Sequence, residues 1–347
     1  MAIGLQTHIW NNNIKSLMLL GLYPFIILGL VWACAYVVAY MQGGYHIQTL
    51  QTPQGTLWLN TGNPEYVANG ILYEYWPLIV TGITLWFAIS YFFHTSMIRA
   101  LCRSQPVTRT EAPMLYNTLE NLCIAQGIPM PQLEIVETDA LNAFASGINA
   151  KSYTITVTRG LLETLPPDEL EGVLAHELTH IINRDVRLLM VTIIFTGMVG
   201  FAAQMVWSQV RYGFLFSSGR GRDRKNGVMV LLALAVVLWV GYIATLFMRF
   251  ALSRRREFMA DAGAVQMTKN PEAMIRALLR ISGHEHIPAV PADIAMMCIE
   301  NATPFMGLFA THPSIESRVA VLAELTHTPL PDLSVLPAPR KNPWRRS

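Results

Sequence analysis

Hydrophobic and polar positions are patterned along this chain on two scales. On the longer one, residues 16–64, 75–98, 188–210 and 226–248 contain no Asp, Glu, Lys or Arg. A helix needs about 20 mainly apolar residues to cross the hydrocarbon core of a bilayer. Leu17–Met41, Tyr75–Ile98, Leu188–Val210 and Val228–Met248 each reach that length. The first exceeds the roughly 7–15 apolar residues of a cleaved signal, so it reads as a span, with Pro24 as a candidate kink. The expectation is a mainly α polytopic membrane protein with about four transmembrane helices.

On the shorter scale, residues between and after the spans carry soluble periodicities. Glu111–Gln126 has apolar positions at Met114, Leu115, Leu119 and Leu122, a helical spacing closed by Gly127 and Pro129. Leu133–Val136 and Tyr153–Val157 read as strands, with Ala140–Ala150 between them. Arg159–Thr164 reads as a short helical turn. A longer helix follows from Asp168, with Asp168 and Glu171 as an acidic D-x-x-E cap at its start. It is expected to continue towards the third span, with Arg184, Asp185 and Arg187 at the boundary. Phe214–Gly227 reads as a loop, and Glu257–His327 as several short helices. The chain thus divides into two spans with an outward loop at 42–70 (residues 1–98), a first soluble part (99–187), a hydrophobic hairpin (188–248), a second soluble part (249–327) and a Pro-rich tail (328–347).

Composition sharpens this picture. Hydrophobic residues make up 52% and charged residues 14%, against about 25% charged in soluble domains. A net charge of +2 gives no footprint for nucleic acid. Cys34, Cys102, Cys123 and Cys298 form no C-x-x-C pair, so neither a disulfide framework nor a cysteine zinc site is indicated. Arg99, Arg103 and Arg109 follow the second span, and basic residues collect on the cytoplasmic side of membranes. That places the soluble parts in the cytoplasm and the 42–70 loop outside. No span carries an intramembrane acid or base, which disfavours a channel or transporter.

The candidate chemistry lies in His176-Glu177-Leu178-Thr179-His180, an H-E-x-x-H pattern. Residues four apart share a helix face, with Cβ atoms roughly 5–6 Å apart. Two imidazoles so placed can reach one zinc ion at about 2.0–2.1 Å. Glu177 sits about 100° round the helix, where it can take a proton from a water beside the ion. A catalytic zinc takes three protein ligands. The route through a third histidine six residues on is closed, since Val186 occupies that position. The other route is Glu257, which opens Glu257-Phe258-Met259-Ala260-Asp261, with Asp261 on the same face to accept an N–H from a ligand histidine, His176 first. The competing reading makes Glu257 and Asp261 acids of a solvated helix face. If His180 and Glu257 share an ion, the chain crosses the membrane an even number of times between them. Two crossings are preferred, and a hairpin that does not fully cross is the alternative.

An oxyanion donor is expected from Thr311-His312-Pro313-Ser314 with Arg318: His312 can donate a hydrogen bond, and Arg318 can hold an acid or a carbonyl. The competing reading makes this stretch a helix entry capped by Ser314. Together these residues point to a zinc metalloendopeptidase. A non-hydrolytic membrane scaffold or chaperone-like binder with a structural zinc is the second class.

His176–His180, Asn142–Gly147, Arg256–Asp261 and Thr311–Arg318 follow the order and spacing of HtpX-like membrane zinc metallopeptidases, relatives of the CAAX prenyl protease. The chain resembles that family over roughly residues 110–325. The resemblance implies a zincin-like (gluzincin) α+β domain with one zinc per chain, held by His176, His180 and Glu257, with Glu177 as general base. It implies that Asn142, Ala143 and Phe144 belong to an edge strand that pairs with the substrate backbone, and that His312 and Arg318 line the site. It also implies polypeptide substrates in or near the lipid bilayer, a multi-pass location in the cell (inner) membrane with the active site facing the cytoplasm, and a role in protein quality control and stress response.

Overall fold

The computed structural model describes residues 5–41, 47–52, 55–60, 63–216, 222–250, 254–282 and 314–330. Among these, four helices are long and apolar enough to cross a membrane: α1 (Leu5–Met41), α2 (Pro64–Cys102), α6 (Asp185–Phe216) and α7 (Arg222–Phe250). Two are longer than their apolar runs require. α1 begins at Leu5 rather than Leu17, because extending a formed helix through polar residues costs far less than nucleating one. α2 begins at Pro64, whose missing N–H is no loss in the first turn. Its 39 residues measure about 58 Å, well beyond the roughly 30 Å of a hydrocarbon core.

The 42–70 segment, expected as a loop, contains an antiparallel hairpin of β1 (Ile47–Thr52) and β2 (Gly55–Asn60), with Ile47 opposite Asn60 and Leu50 opposite Leu57. The 214–227 segment is also more helical than expected, since α6 reaches Phe216 and α7 starts at Arg222. Its centre, 217–221, lies outside the described residues, as does the tail from 331.

The chain forms two compact units. Unit 2 comprises Leu17–Ser90 and Thr192–Met248. Its helices are joined by an aromatic stack: Phe195 of α6 lies 4.3 Å from Tyr23 of α1 and 5.5 Å from Phe87 of α2, centroid to centroid. Trp32 also donates to Asn69 at 2.8 Å, satisfying an indole N–H that hydrocarbon would leave unmet.

Unit 1 comprises Met1–Ser16, Tyr91–Val191 and Arg249–Ser347. Its sheet runs β3 (Gln105–Pro106), β4 (Gln132–Val136), β6 (Thr154–Thr158), β5 (Ala143–Ser146). β4 and β6 are parallel, Gln132 opposite Thr154, and β5 lies antiparallel on the outer side of β6, Ala143 opposite Val157. Around the sheet are α3 (Pro113–Gln126), α4 (Arg159–Thr164), α5 (Pro167–Ile182), α8 (Arg254–Thr268), α9 (Pro271–Ile281) and a further helix, α10 (Ile315–Thr326). Residues 283–313 lie outside the described residues.

Two local expectations are corrected. Asp168 does not cap α5: Pro166 occupies the cap position without a side-chain bond, and Pro167 opens the helix. Asp168 instead pairs with Arg276 of α9 at 2.7 Å. The same guanidinium reaches the buried Glu169 at 3.2 Å, and Arg280 reaches Glu169 at 2.7 Å. The acids at the start of α5 therefore dock α9. Nor does α5 run on into the third span, because Arg184 adopts φ 58° and Asp185 begins a new helix.

The strand-to-helix junction after β6 is tight. A Cβ on Gly160 would lie 2.2 Å from the Asp139 carbonyl oxygen, and neither backbone can yield cheaply. Gly160→Ala is expected to lower stability by about 1–3 kcal/mol, read as a lower unfolding temperature of the detergent-solubilised protein.

Candidate metal centre

α5 carries the H-E-x-x-H motif on its inward face. Leu170, Val173, Leu174, Leu178 and Ile181 are buried with His176 and Glu177. α8 packs across it, and a Cβ on Gly263 would lie 2.5 Å from Thr179 Cγ2. This close approach brings the first turn of α8, with Glu257, to the two histidines.

The two imidazoles stand 4.8 Å apart, centroid to centroid, at 88°. His176 Nε2 lies 3.6 Å from Glu257 Oε2, and His180 Nε2 lies 3.5 Å from Glu257 Oε1. One donor atom from each of His176, His180 and Glu257 falls within 4.8 Å of the other two. The opposite ring nitrogens face carboxylates: His176 Nδ1 is 2.9 Å from Asp261 Oδ1, and His180 Nδ1 is 3.1 Å from Asp185 Oδ2. A carboxylate can only accept, so each Nδ1 donates, and each Nε2 is the nitrogen that would offer its lone pair to an ion seated beside Glu257. That donor set fits zinc: two neutral imidazoles and a carboxylate, with second carboxylates fixing the tautomers. Glu257 and Asp261 are 4% and 2% exposed, which excludes the solvated-face reading.

The surroundings favour positive charge. Burial works against protonating His176 and His180, but the neighbouring carboxylates outweigh it and raise both above the usual imidazole value. Burial pushes the Glu177 carboxyl up, against the pull of the two histidines. Glu177 also accepts from the Ala145 backbone N–H, which ties the motif helix to β5. Asp261 is held down to about 2: burial raises it, and Arg318 and His176 more than reverse that.

The remaining candidates divide. Asn142 is buried immediately before β5: its N–H donates to Thr158 Oγ1 at 2.9 Å, and its Oδ1 accepts from the Ala143 N–H at 2.9 Å. Ala143 and Phe144 begin β5 itself, at the end of the sheet order. Arg318 is 1% exposed and grips Asp261 with both prongs, Nη2–Oδ1 2.6 Å and Nε–Oδ2 2.9 Å. Of the acid and the carbonyl considered for Arg318, the structure gives it the acid. Ser314 caps α10, accepting from the Ser317 N–H at 3.3 Å. His312 lies outside the described residues. The sequence pattern gave Asp185 only a place at the membrane boundary. Its signal was an acid five residues past the second motif histidine, which carries meaning only once the helix is known to break there.

The chain is similar to known proteins over most of its length. The model of peptidase family M48 matches residues 109–326. A protein described as "Protease HtpX homolog" from Bacteroides fragilis (strain YCH46) is 41% identical over 333 residues, 93% of this chain and 99% of that protein. One so described from Nostoc punctiforme is 42% identical over 231 residues, 65% of this chain and 78% of that protein. Among solved structures, the crystal structure of S. mikatae Ste24p aligns with a TM-score of 0.41 at 19% identity, covering 72% of this chain and 58% of that one. A relative matched almost end to end, together with a family model that spans both halves of the metal centre, settles the assignment: the chain belongs to peptidase family M48 and is a membrane metalloprotease.

Proposed function

We propose that the protein is a zinc-dependent endopeptidase that cleaves membrane or membrane-proximal polypeptides in protein quality control, from the inner cell membrane with its active site facing the cytoplasm. The observation that carries the reading is the convergence of His176, His180 and Glu257 within 4.8 Å of one another, with both imidazoles backed by carboxylates. Zinc bound there supplies Lewis acidity, lowering the pKa of a water towards about 7 and polarising the scissile carbonyl. His176, His180 and Glu257 would hold the ion. Glu177 removes the proton from the attacking water and returns it to the leaving amine.

Substrate enters as a strand added to the outer edge of β5, along Ala143–Ser146 with Asn142 at its start. The hydrogen bond from the Ala145 N–H sets that edge beside the Glu177 carboxylate. Main-chain pairing of this kind accepts many sequences, as a clearance protease requires. His312 is read from the sequence as the donor to the tetrahedral oxyanion. Cytoplasmic placement rests on Arg99, Arg103 and Arg109 after the second span. Membrane-proximal substrates fit a motif helix separated from the membrane-spanning helix α6 by Asn183 and Arg184 alone.

The test is metal dependence. Purified protein is expected to contain one zinc per chain, to lose hydrolysis of a casein-like substrate in 1,10-phenanthroline, and to regain it on adding Zn²⁺. Hydrolysis that persists in metal-free protein overturns the reading. Metal-dependent substrate binding without hydrolysis would instead support a scaffold with a structural zinc.

A further inference from the structure

The break between α5 and α6 has a chemical consequence. Asn183 closes α5 in a right-handed conformation, and its N–H bonds to the Thr179 carbonyl at 2.9 Å. Arg184 then turns left-handed at φ 58°, an unfavourable choice for a side chain with a Cβ. The result is that Asp185, first residue of α6, swings back onto the helix it has just left. Its Oδ2 lies 3.1 Å from His180 Nδ1, and the residue is only 4% exposed. Its Oδ1 lies 3.8 Å from Arg256 Nη1, on the residue directly before Glu257. One carboxylate thus stands where the helices carrying His180 and Glu257 meet the first turn of a membrane-spanning helix. The arrangement repeats that of Asp261 on His176.

We propose that Asp185 is a positioning residue for the metal. It fixes His180 as the Nδ1–H tautomer and orients its Nε2 towards the metal position beside Glu257, while the Arg256 guanidinium, 3.8 Å away, offsets the buried carboxylate's charge. This rests on the zinc reading above. The rival explanation is structural: an acid in the first turn of a helix stabilises it through the helix dipole. The two differ in what a mutation moves. A dipole role changes the stability of metal-free protein and leaves metal affinity alone, whereas a positioning role lowers metal affinity whatever it does to stability. Losing such a carboxylate typically weakens metal binding by about 10–100-fold.

The experiment uses full-length protein in lipid nanodiscs. Zinc affinity is read by competition with a chromogenic chelator, and the visible spectrum of the Co²⁺-loaded protein reports ligand geometry. Asp185→Ala is expected to bind zinc about 10–100-fold more weakly and to shift the Co²⁺ bands, with Asp185→Glu recovering part of both. If Asp185→Ala does not fold, the isosteric Asp185→Asn decides: it keeps the shape and removes the charge, and is expected to weaken zinc binding by about tenfold, the low end of that range. Wild-type zinc affinity and an unchanged Co²⁺ spectrum in every variant that folds overturn the proposal. Wild-type protein that takes up no zinc overturns the zinc reading beneath it, so the two failures are distinct.

Discussion

Glu177→Gln is expected to bind zinc as wild type does and to lose at least about 10³-fold in kcat, within the range attributed to a positioned general base. Glu177 lies between the motif histidines in sequence but points to a different partner: its carboxylate is buried and accepts from the Ala145 N–H of β5. Gln has the same shape and can still accept from that N–H, so the helix-to-strand connection survives. It cannot take a proton. A structural role for Glu177 would therefore be nearly silent in this substitution, and a proton-transfer role would be maximally exposed. Equal zinc content with turnover of a casein-like substrate within tenfold of wild type would remove Glu177 from the chemistry. The same variant, holding substrates without cutting them, is the natural trap for identifying them in the native membrane.

What the sequence made legible follows from how local each determinant is. The four membrane helices were readable because a charge-free run is a property of the run itself. Their ends were not, since α1 and α2 propagate into polar flanks where composition no longer decides. β4 and β6 are strand-like runs, the second strongly β-branched, but β5 is Ala-Phe-Ala-Ser, buried at all four positions and without the alternation that marks a half-buried strand. The β1–β2 hairpin is Gln- and Thr-rich and escaped for a similar reason. At the site, His176 and His180 were legible because i, i+4 spacing fixes their face, and Glu257 because the chemistry demanded a third donor. Asp185 depends on a left-handed Arg184, and no composition rule predicts a non-glycine residue there. The Asp261–Arg318 pairing joins residues 57 apart, a separation that no local pattern reports. Sequence could place Arg318 near the site but not choose its partner.

Arg318→Leu should cost the metal-free protein about 3–5 kcal/mol of stability, because it strips a buried carboxylate of its counter-charge. Arg318 is 1% exposed, its guanidinium binds both oxygens of Asp261, and Asp261 in turn accepts from His176 Nδ1 at 2.9 Å. Taking a carboxylate out of water is tolerated here only because the fork satisfies it. Removing the fork leaves a charge that must protonate, admit water or shift, and any of these loosens the His176 ring. Zinc affinity should fall with stability in this variant. Arg318→Lys keeps the charge but not the planar two-pronged geometry, so it should recover stability only in part. The decisive comparison is the double variant Asp261→Asn with Arg318→Leu. With neither charge buried, it should regain much of what the single change loses, giving a coupling energy at the upper end of the about 0.5–3 kcal/mol seen for residues in direct contact. If Arg318 instead served the substrate, the single variant would keep its unfolding temperature and zinc affinity while kcat/KM collapsed. A thermal melt of metal-free protein alongside steady-state kinetics separates those outcomes, and unchanged stability would show that Arg318 does not hold Asp261 in the way the structure implies.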